Sequence, residues 1–398
     1  MVTAAQNERL TRVGPGTPGG ELLRRYWQPL CPAAELTARQ PKKRVRIMGE
    51  DLLVVRTPAG EHICIEERCP HRRASLYLGF LEPDGVRCCY HGWKYGYDGR
   101  CVEQPFEPKK FCERVRLRTF PVRKLGGLLF VYMGPDPERA PLLPRWDVLV
   151  RTDRPRIIHL FPDHHCNWLQ IQENTADSVH TYYTHGHMSA VLNLPAQYAG
   201  GYFYRPIVDY DWAVSEWGIE KTLVYGGERP EVEIRPPLIF PTLLRIPEGP
   251  LEAMHFRVPI DDEHTRIIWT GLLPEGAAVP RPASEDADVP YDHSADSALG
   301  NGEYGLEDFY AQDRAVWETM GVTADRSRET LGASDRGVVM FRRMLAEQID
   351  RVERGEEPTV AVVRDPQKNR IIEFASATKP WRDERFAEAA GARVPASS

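Results

Sequence analysis

The sequence predicts an α+β protein of two domains: an all-β unit over residues 1–150 and a unit of mixed strands and helices over 151–398. Three observations predict it. Short β-type runs broken by turn residues fill the N-terminal third. Prolines then crowd one segment, at Pro135, Pro137, Pro141, Pro144 and Pro155. Beyond them the order becomes helix, strands, long loop and two helices. A chain of 398 residues, 42% hydrophobic and 27% charged, has room for two cores of ordinary size.

In the first unit, strands are expected at Arg44–Met48, Leu52–Thr57, His62–Glu66, Gly85–Cys89 and Leu128–Tyr132, with Asp-Gly turns at 84–85 and 98–99. The proline-dense segment reads as a linker and places the boundary near 140–155. Asn167–His185 reads as a helix ended by Gly186. Strand-like runs follow at Thr222–Tyr225, Leu238–Ile246, Ala253–Val258 and Thr265–Leu272, then a loop over 275–300. Glu303–Met320 and Ser334–Glu353 read as amphipathic helices. In the second of these, Val338, Phe341, Leu345, Ile349 and Val352 recur at helical spacing.

Composition excludes several function classes. The net charge is −6, and the basic residues are scattered rather than blocked, so no nucleic-acid face is expected. The N-terminal residues contain no apolar core of a signal peptide, and the longest strongly apolar run, Leu125–Met133, is too short to span a bilayer. Thr181–Tyr204 lacks charge but carries Asn193, Pro195, Gln197 and two histidines, so it is no membrane helix either. With eight cysteines and no export signal, a metal site in a cytoplasmic protein is expected rather than disulfides. The glycine-rich stretch at 14–20 follows no strand and lacks dinucleotide-loop spacing, so no nicotinamide or flavin site is read there.

Residues 69–91 hold the first metal constellation, Cys69-x-His71 and Cys88-x-x-His91. Two thiolates and two imidazoles on paired loops suit a Rieske [2Fe–2S] centre, one iron taking both cysteines and the other both histidines. Cys89 also stands in C-x-H spacing to His91. Cys88 is chosen because the second loop of such a centre has two residues between its ligands. A Cys₂His₂ zinc site is the competing reading, but zinc pairs usually keep like ligands together. Cys31, Cys64, Cys101, Cys112 and Cys166 have no ligand spacing and read as structural, and His62 as a strand surface residue.

A second constellation lies at His180 and His185. On an unbroken α-helix, residues five apart stand about 140° apart. The expectation is therefore that Gly186 loosens the last turn and lets His185 swing back. Histidines at a helix end can instead simply cap carbonyls. A carboxylate would complete a His₂–carboxylate iron site with open positions. In the 303–320 helix, at about 100° per residue, Leu306, Phe309, Val316, Trp317 and Met320 fall within roughly 60° of Asp313. Glu307, Asp308 and Glu318 lie on the other side. A carboxylate on an apolar face must be paired or bind metal; a salt bridge to an arginine such as Arg342 is the alternative.

Taken in order, the cysteine–histidine loops followed by HGWKYGYDGRC, then NWLQIQENTADSVHTYYTHG, then QDRAVWETMG and DRSRETLGASDRGV resemble the Rieske non-haem iron oxygenases, oxygenase components of the phthalate-dioxygenase type, over roughly residues 10 to 350. The resemblance implies a Rieske β-domain, a helix-grip catalytic domain with an antiparallel sheet and C-terminal helices, and a homotrimer. It assigns Cys69, His71, Cys88 and His91 to the cluster, and His180, His185 and Asp313 to mononuclear Fe(II). Asp177 matches the carboxylate that links the iron site to a cluster histidine of the neighbouring subunit; His187 matches no ligand. The implied activity is hydroxylation of a small aromatic substrate with O₂, mono- or di-, fed by a separate NAD(P)H-dependent reductase with or without a ferredoxin. O- or N-dealkylation of an aromatic ether or N-alkyl anilide is one alternative. An electron-transfer Rieske protein is another, which the long C-terminal unit with its own ligand set argues against. Arg205, Arg235 and Arg245 are candidate clamps for a substrate carboxylate, against the ordinary reading of surface arginines.

Overall fold

A computed structural model describes residues 2–194, 205–227, 231–246, 252–294 and 304–374, with the backbone of 377–380. Two small four-stranded antiparallel sheets build the N-terminal unit. One contains β2 (Lys42–Ile47), β3 (Glu50–Arg56), β4 (His62–Glu66) and β9 (Thr119–Phe120). The other contains β5 (Phe80–Glu82), β6 (Gly85–Arg87), β7 (Lys94–Gly96) and β8 (Cys101–Glu103). Their shared core includes Leu53, Val55, Ile65, Leu76, Trp93, Tyr95 and Leu117. The 84–85 turn falls one residue early: Glu82 pairs with Gly85, leaving Pro83 and Asp84 as the two-residue loop.

A third sheet, β1 (Gln28–Pro32), β11 (Leu128–Val131) and β10 (Val122–Leu125), backs onto the C-terminal unit, where Phe130 meets Phe256 edge-on. The N-terminal helices α1 (Ala4–Thr11) and α2 (Pro18–Leu23) also pack towards the C-terminal unit. Asn7 donates to the Ala324 carbonyl, and Tyr26 to that of Val360. The proline-dense stretch carries a short buried helix α3 (Asp147–Val150) and is pinned by backbone bonds from Leu142 to Val363 and from Asp147 to Ile372.

The C-terminal unit is a nine-stranded sheet among the described residues. Its order is β13 (Ile207–Val214), β14 (Gly218–Tyr225), β15 (Glu231–Ile239), β16 (Leu243–Ile246), β17 (Glu252–Pro259), β18 (Thr265–Leu272), β12 (Arg156–Leu160) and β19 (Tyr291–His293), with β20 (Ala377–Pro380) also on β15. All pairs are antiparallel except β12 with β19. The expected single strand 238–246 is two strands: Phe240–Thr242 turns the chain at Pro241, whose ring nitrogen has no hydrogen to give a ladder. Side chains alternate along β17. Met254, Phe256 and Val258 join the main core, while Arg257 faces the helices around the candidate metal ligands, bonding the Ile171 carbonyl and lying 5.5 Å from the Trp317 ring.

Those helices depart from expectation at three points. The expected helix begins at Asn167, which caps α4 (Trp168–Ala176), but it stops at Asp177, which is extended. Helical backbone resumes with His180, and Thr181–His187 is π-helical before α5 (Met188–Val191), so Gly186 lies inside a helix and ends none. Third, the helix expected from 303 is α6 (Phe309–Thr319), with Asp308 as its N-cap accepting from Ala311 N–H. The last α-helix among the described residues, α7 (Arg336–Glu353), buries all five residues of its apolar stripe. No helix among the described residues is long and apolar enough to cross a membrane.

Candidate metal centres

The loops after β4 and β6 bring Cys69, His71, Cys88 and His91 together. Both cysteines are buried, whereas Cys89 is exposed. The backbone is fixed by bonds from Cys69 N–H to the Ala74 carbonyl and from Cys88 N–H to that of Trp93. Gly92, at φ +73°, follows His91 in a turn that side chains resist. The His71 and His91 rings lie 4.6 Å apart, and His71 stacks on Trp93 at 4.3 Å, which orients it. The Tyr95 hydroxyl lies 3.2 Å from Cys69 Sγ. Burial raises the Cys69 thiol pKa, and the bond from Tyr95 opposes this by favouring the thiolate. Two shielded sulfurs and two imidazoles nearer the surface fit a [2Fe–2S] cluster with one iron on each pair.

The second centre is built by π-helical winding. Backbone bonds there run from residue i+5 to i, as from Met188 N–H to the Tyr183 carbonyl, so residues five apart stack on one face. His180 and His185 therefore share a face without the swing expected of a frayed end; their rings are 5.5 Å apart. α6 brings Asp313 against them. Its Oδ1 lies 3.4 Å from His185 Nε2 and 3.9 Å from His180 Nε2, and one donor atom from each of the three residues lies within 4.8 Å of the others.

The Nδ1 atom of each imidazole lies near a polar neighbour, within hydrogen-bond distance only for His185. His185 Nδ1 lies 3.1 Å from Gln312 Oε1, and the Gln312 amide donates to Ser189 Oγ at 2.9 Å and to the Leu306 carbonyl. His180 Nδ1 lies 3.6 Å from Asp177, whose carboxylate also accepts from Val179 and His180 N–H, capping the resumed helix. This leaves both Nε2 atoms and a carboxylate oxygen aimed at one point, a set that fits mononuclear iron. Burial opposes ionisation of Asp313, but the His185 and His180 imidazoles and the Arg257 guanidinium outweigh it and hold the carboxyl below its usual range.

Sequence periodicity did not reveal several neighbours. Asn174 Nδ2 reaches both Asp313 Oδ1, at 3.3 Å, and His180 Nε2, at 3.2 Å. Gln312 precedes Asp313 and is fully buried, a polar residue whose only sequence signal is its place beside a candidate ligand. The apolar face around Asp313 is less complete than expected, since Val316 and Met320 are exposed. Glu318, placed on the opposite side, is buried instead and bonded to Arg314 and Tyr304. Arg342, the alternative partner for Asp313, is committed to Glu173 and Glu329. His187 is exposed. Of the candidate clamps, Arg245 forms a buried two-point pair with Asp147, at 2.7 and 3.1 Å, and Arg205 pairs with Glu231 at 2.9 Å. The side chain of Arg235 lies outside the described residues.

Residues 26–121 match the Rieske [2Fe-2S] domain family, and 291–394 match the family described as LigXa C-terminal domain like. The 5,5'-dehydrodivanillate O-demethylase oxygenase subunit of Sphingobium sp. is 37% identical over 94% of this chain and 86% of its own. The phthalate 4,5-dioxygenase oxygenase subunit of Pseudomonas putida is 31% identical over 96% and 94%. Among solved structures, NdmA of Pseudomonas putida CBB5 superposes with a TM-score of 0.59 at 18% identity, over 91% of this chain and 98% of that one. Dicamba monooxygenase gives 0.59 at 17%, over 84% and 99%. At these identities the structural likeness concerns the fold.

Proposed function

This chain belongs to the Rieske non-haem iron oxygenases, as an oxygenase subunit, and we propose that Cys69, His71, Cys88 and His91 hold its cluster while His180, His185 and Asp313 hold its Fe(II). The observation that carries the iron assignment is the convergence of three donor atoms from two separate helical segments. The division near residue 150 then separates the two centres, because every proposed cluster ligand precedes it and every proposed iron ligand follows. When bound, the metals supply electron storage and dioxygen activation. The protein's part is to orient donors and exclude water. Trp93 holds the His71 ring, Gln312 and Asp177 hold the two iron-site imidazoles, and Asn174 steadies the Asp313 carboxylate.

The reading of the substrate is a small aromatic compound, hydroxylated with O₂. O-demethylation of an aromatic methyl ether is the second reading, favoured by the demethylase relative at 37% identity. Electrons come from NAD(P)H through a separate reductase, with a ferredoxin where the system uses one. Asp177 is the electron link to a neighbouring subunit in a homotrimer. Exposed Tyr90, within the second cluster loop, and Phe106, beyond it, offer an apolar surface for that neighbour. Eight free thiols suit a cytoplasmic setting.

Iron and acid-labile sulfide analysis, followed by turnover of a panel of aromatic acids, methyl ethers and N-alkyl anilides with a surrogate reductase, tests the proposal. Three irons and two sulfides per chain, with oxygenated or demethylated product, support it. Stoichiometric zinc, or the cluster without iron at the second centre, overturns it.

A further inference from the structure

α6 carries two oxidisable rings beside Asp313. Tyr310 stands one turn before it and Trp317 one turn after, both within roughly 60° of Asp313 around the helix. With Cys166, Ile171, Ile267 and Phe161 these rings form a small cluster of their own, separate from the main core. Arg257 ties the cluster to the proposed iron centre. Its guanidinium lies 5.5 Å from the centre of the Trp317 ring, and its charge is felt at Asp313. The Trp317 and Tyr310 rings are 6.5 Å apart, and Tyr310 stacks on Phe161 at 3.7 Å.

Two features distinguish this cluster from ordinary packing. Its rings run outwards, from the buried Trp317 to the partly exposed Tyr310. The phenol also has a base beside it. Tyr310 Oη lies 2.7 Å from Nε2 of His164, a histidine without solvent contact. Burial, then the Arg314 cation, push the His164 imidazole pKa down to about 3, so the ring is neutral. With its own proton on Nδ1, it accepts the phenol hydrogen at Nε2. A phenol placed in this way gives up an electron more readily than an isolated one, because its proton leaves at the same moment. An oxidised phenol is so strong an acid that even a weak base takes the proton. Trp317 has no such outlet, and the Arg257 cation near its ring penalises a positive charge on the indole. An electron vacancy entering the cluster at Trp317 therefore moves on to Tyr310.

We propose that Tyr310, with His164 as proton acceptor and Trp317 as relay, is a redox-active site that discharges the oxidised iron centre when no substrate is consumed. The proposal rests on the oxygenase reading above and adds a protective reaction to it. In the forward step Tyr310 gives one electron, by way of Trp317, to the oxidised iron centre. Its O–H bond breaks and the proton forms an N–H bond at His164 Nε2, leaving a neutral phenoxyl radical and an imidazolium. In the return step a small one-electron reductant such as ascorbate supplies an electron at the partly exposed ring, and the proton comes back from His164. Each cycle carries one electron from the reductant to the iron centre and leaves the chain unchanged.

The test mixes the metal-loaded enzyme with hydrogen peroxide in the absence of substrate, freezes the mixture for EPR and maps oxidised residues by peptide mass spectrometry. Cluster spectrum and iron content check folding. Wild type should show a tyrosyl radical signal that ascorbate removes. Tyr310→Phe keeps the ring on Phe161 but has no hydroxyl. It should lose the signal, accumulate oxidised Trp317 and become inactive at lower peroxide exposure, while its iron content matches wild type. Trp317→Phe, which leaves Tyr310 and His164 in place, should lose the signal too, and decides the matter if Tyr310→Phe fails to fold. A tyrosyl signal that survives either substitution overturns the inference. So does a wild type that consumes peroxide without forming a tyrosyl radical, and in both cases the oxygenase reading stands. A wild type that holds no iron at the second centre and oxidises no aromatic compound of the panel overturns that reading and this inference with it.

Discussion

His180 and His185 stand five residues apart in sequence and present their Nε2 atoms to the same oxygen of Asp313, at 3.9 and 3.4 Å. The relationship depends on π-helical winding. Asp313→Ala removes the anion from this set, and the expected outcome is loss of mononuclear iron and turnover with the cluster spectrum unchanged. Asp308 caps α6, so Asp308→Ala should keep iron but cost about 1 kcal/mol of stability, read as a lowered denaturation midpoint. Iron loss on changing Asp308 instead would place the ligand wrongly.

Cys88 and Cys89 are neighbours in the second cluster loop, one buried and one exposed. Cys88→Ser should abolish the EPR signal of the reduced Rieske cluster, and Cys89→Ser should leave it intact. The reverse pattern would move the ligand by one residue.

Gln312 fixes the His185 ring from behind. Gln312→Leu leaves His185 Nδ1 without its partner and should weaken iron binding about 10- to 100-fold, measured by iron competition with a chelator. Gln312→Glu, which still accepts from Nδ1, should restore much of it.

Glu173 lies buried between Arg326 and Arg342, at 2.8 and 2.6 Å, one residue before Asn174. Burial raises its pKa, but the two guanidinium groups overcome this and hold it below the usual value of 4.5. A depressed pKa in the folded state stabilises the protein above the unfolded value, and that stability is lost as pH falls through the folded one. Wild type should therefore lose stability progressively below about pH 4.5. Glu173→Gln leaves two buried cations underpaired and should cost about 3 kcal/mol at pH 7, with the two stability curves converging in acid. Parallel curves throughout would contradict the ionised triad.

Asp177 spends Oδ1 on the Val179 and His180 amides and turns Oδ2 towards His180 Nδ1. Asp177→Asn should keep both metals yet lose at least about tenfold in turnover. Under conditions that let subunits exchange, a cluster-dead His71 variant mixed with an iron-dead His180 variant should regain partial activity if electrons cross between subunits. Mixed oligomers that form but stay inactive would confine Asp177 to orienting His180 in its own chain.

The sequence by itself determined the donor types and their local spacing. The alternation of cysteine and histidine in two short loops and the start of a helix at Asn167 were readable, because each depends on neighbours within a turn or a hairpin. The stripe of α7 was readable for the same reason. The winding of Thr181–His187 was not, since a π-helix is defined by which carbonyl each N–H selects, and side-chain periodicity does not record that choice. Nor was the hairpin at Pro241 readable inside an otherwise continuous apolar run. Tertiary packing alone decided the rest. Arg245 meets Asp147, 98 residues away, and so is a structural ion pair; Gln312 meets His185, 127 residues away; and strand register sets His255 beside Trp269. Burial and pairing arise from surfaces brought together over long separations, and the free energy of a polar group is set by those contacts rather than by its place in the chain.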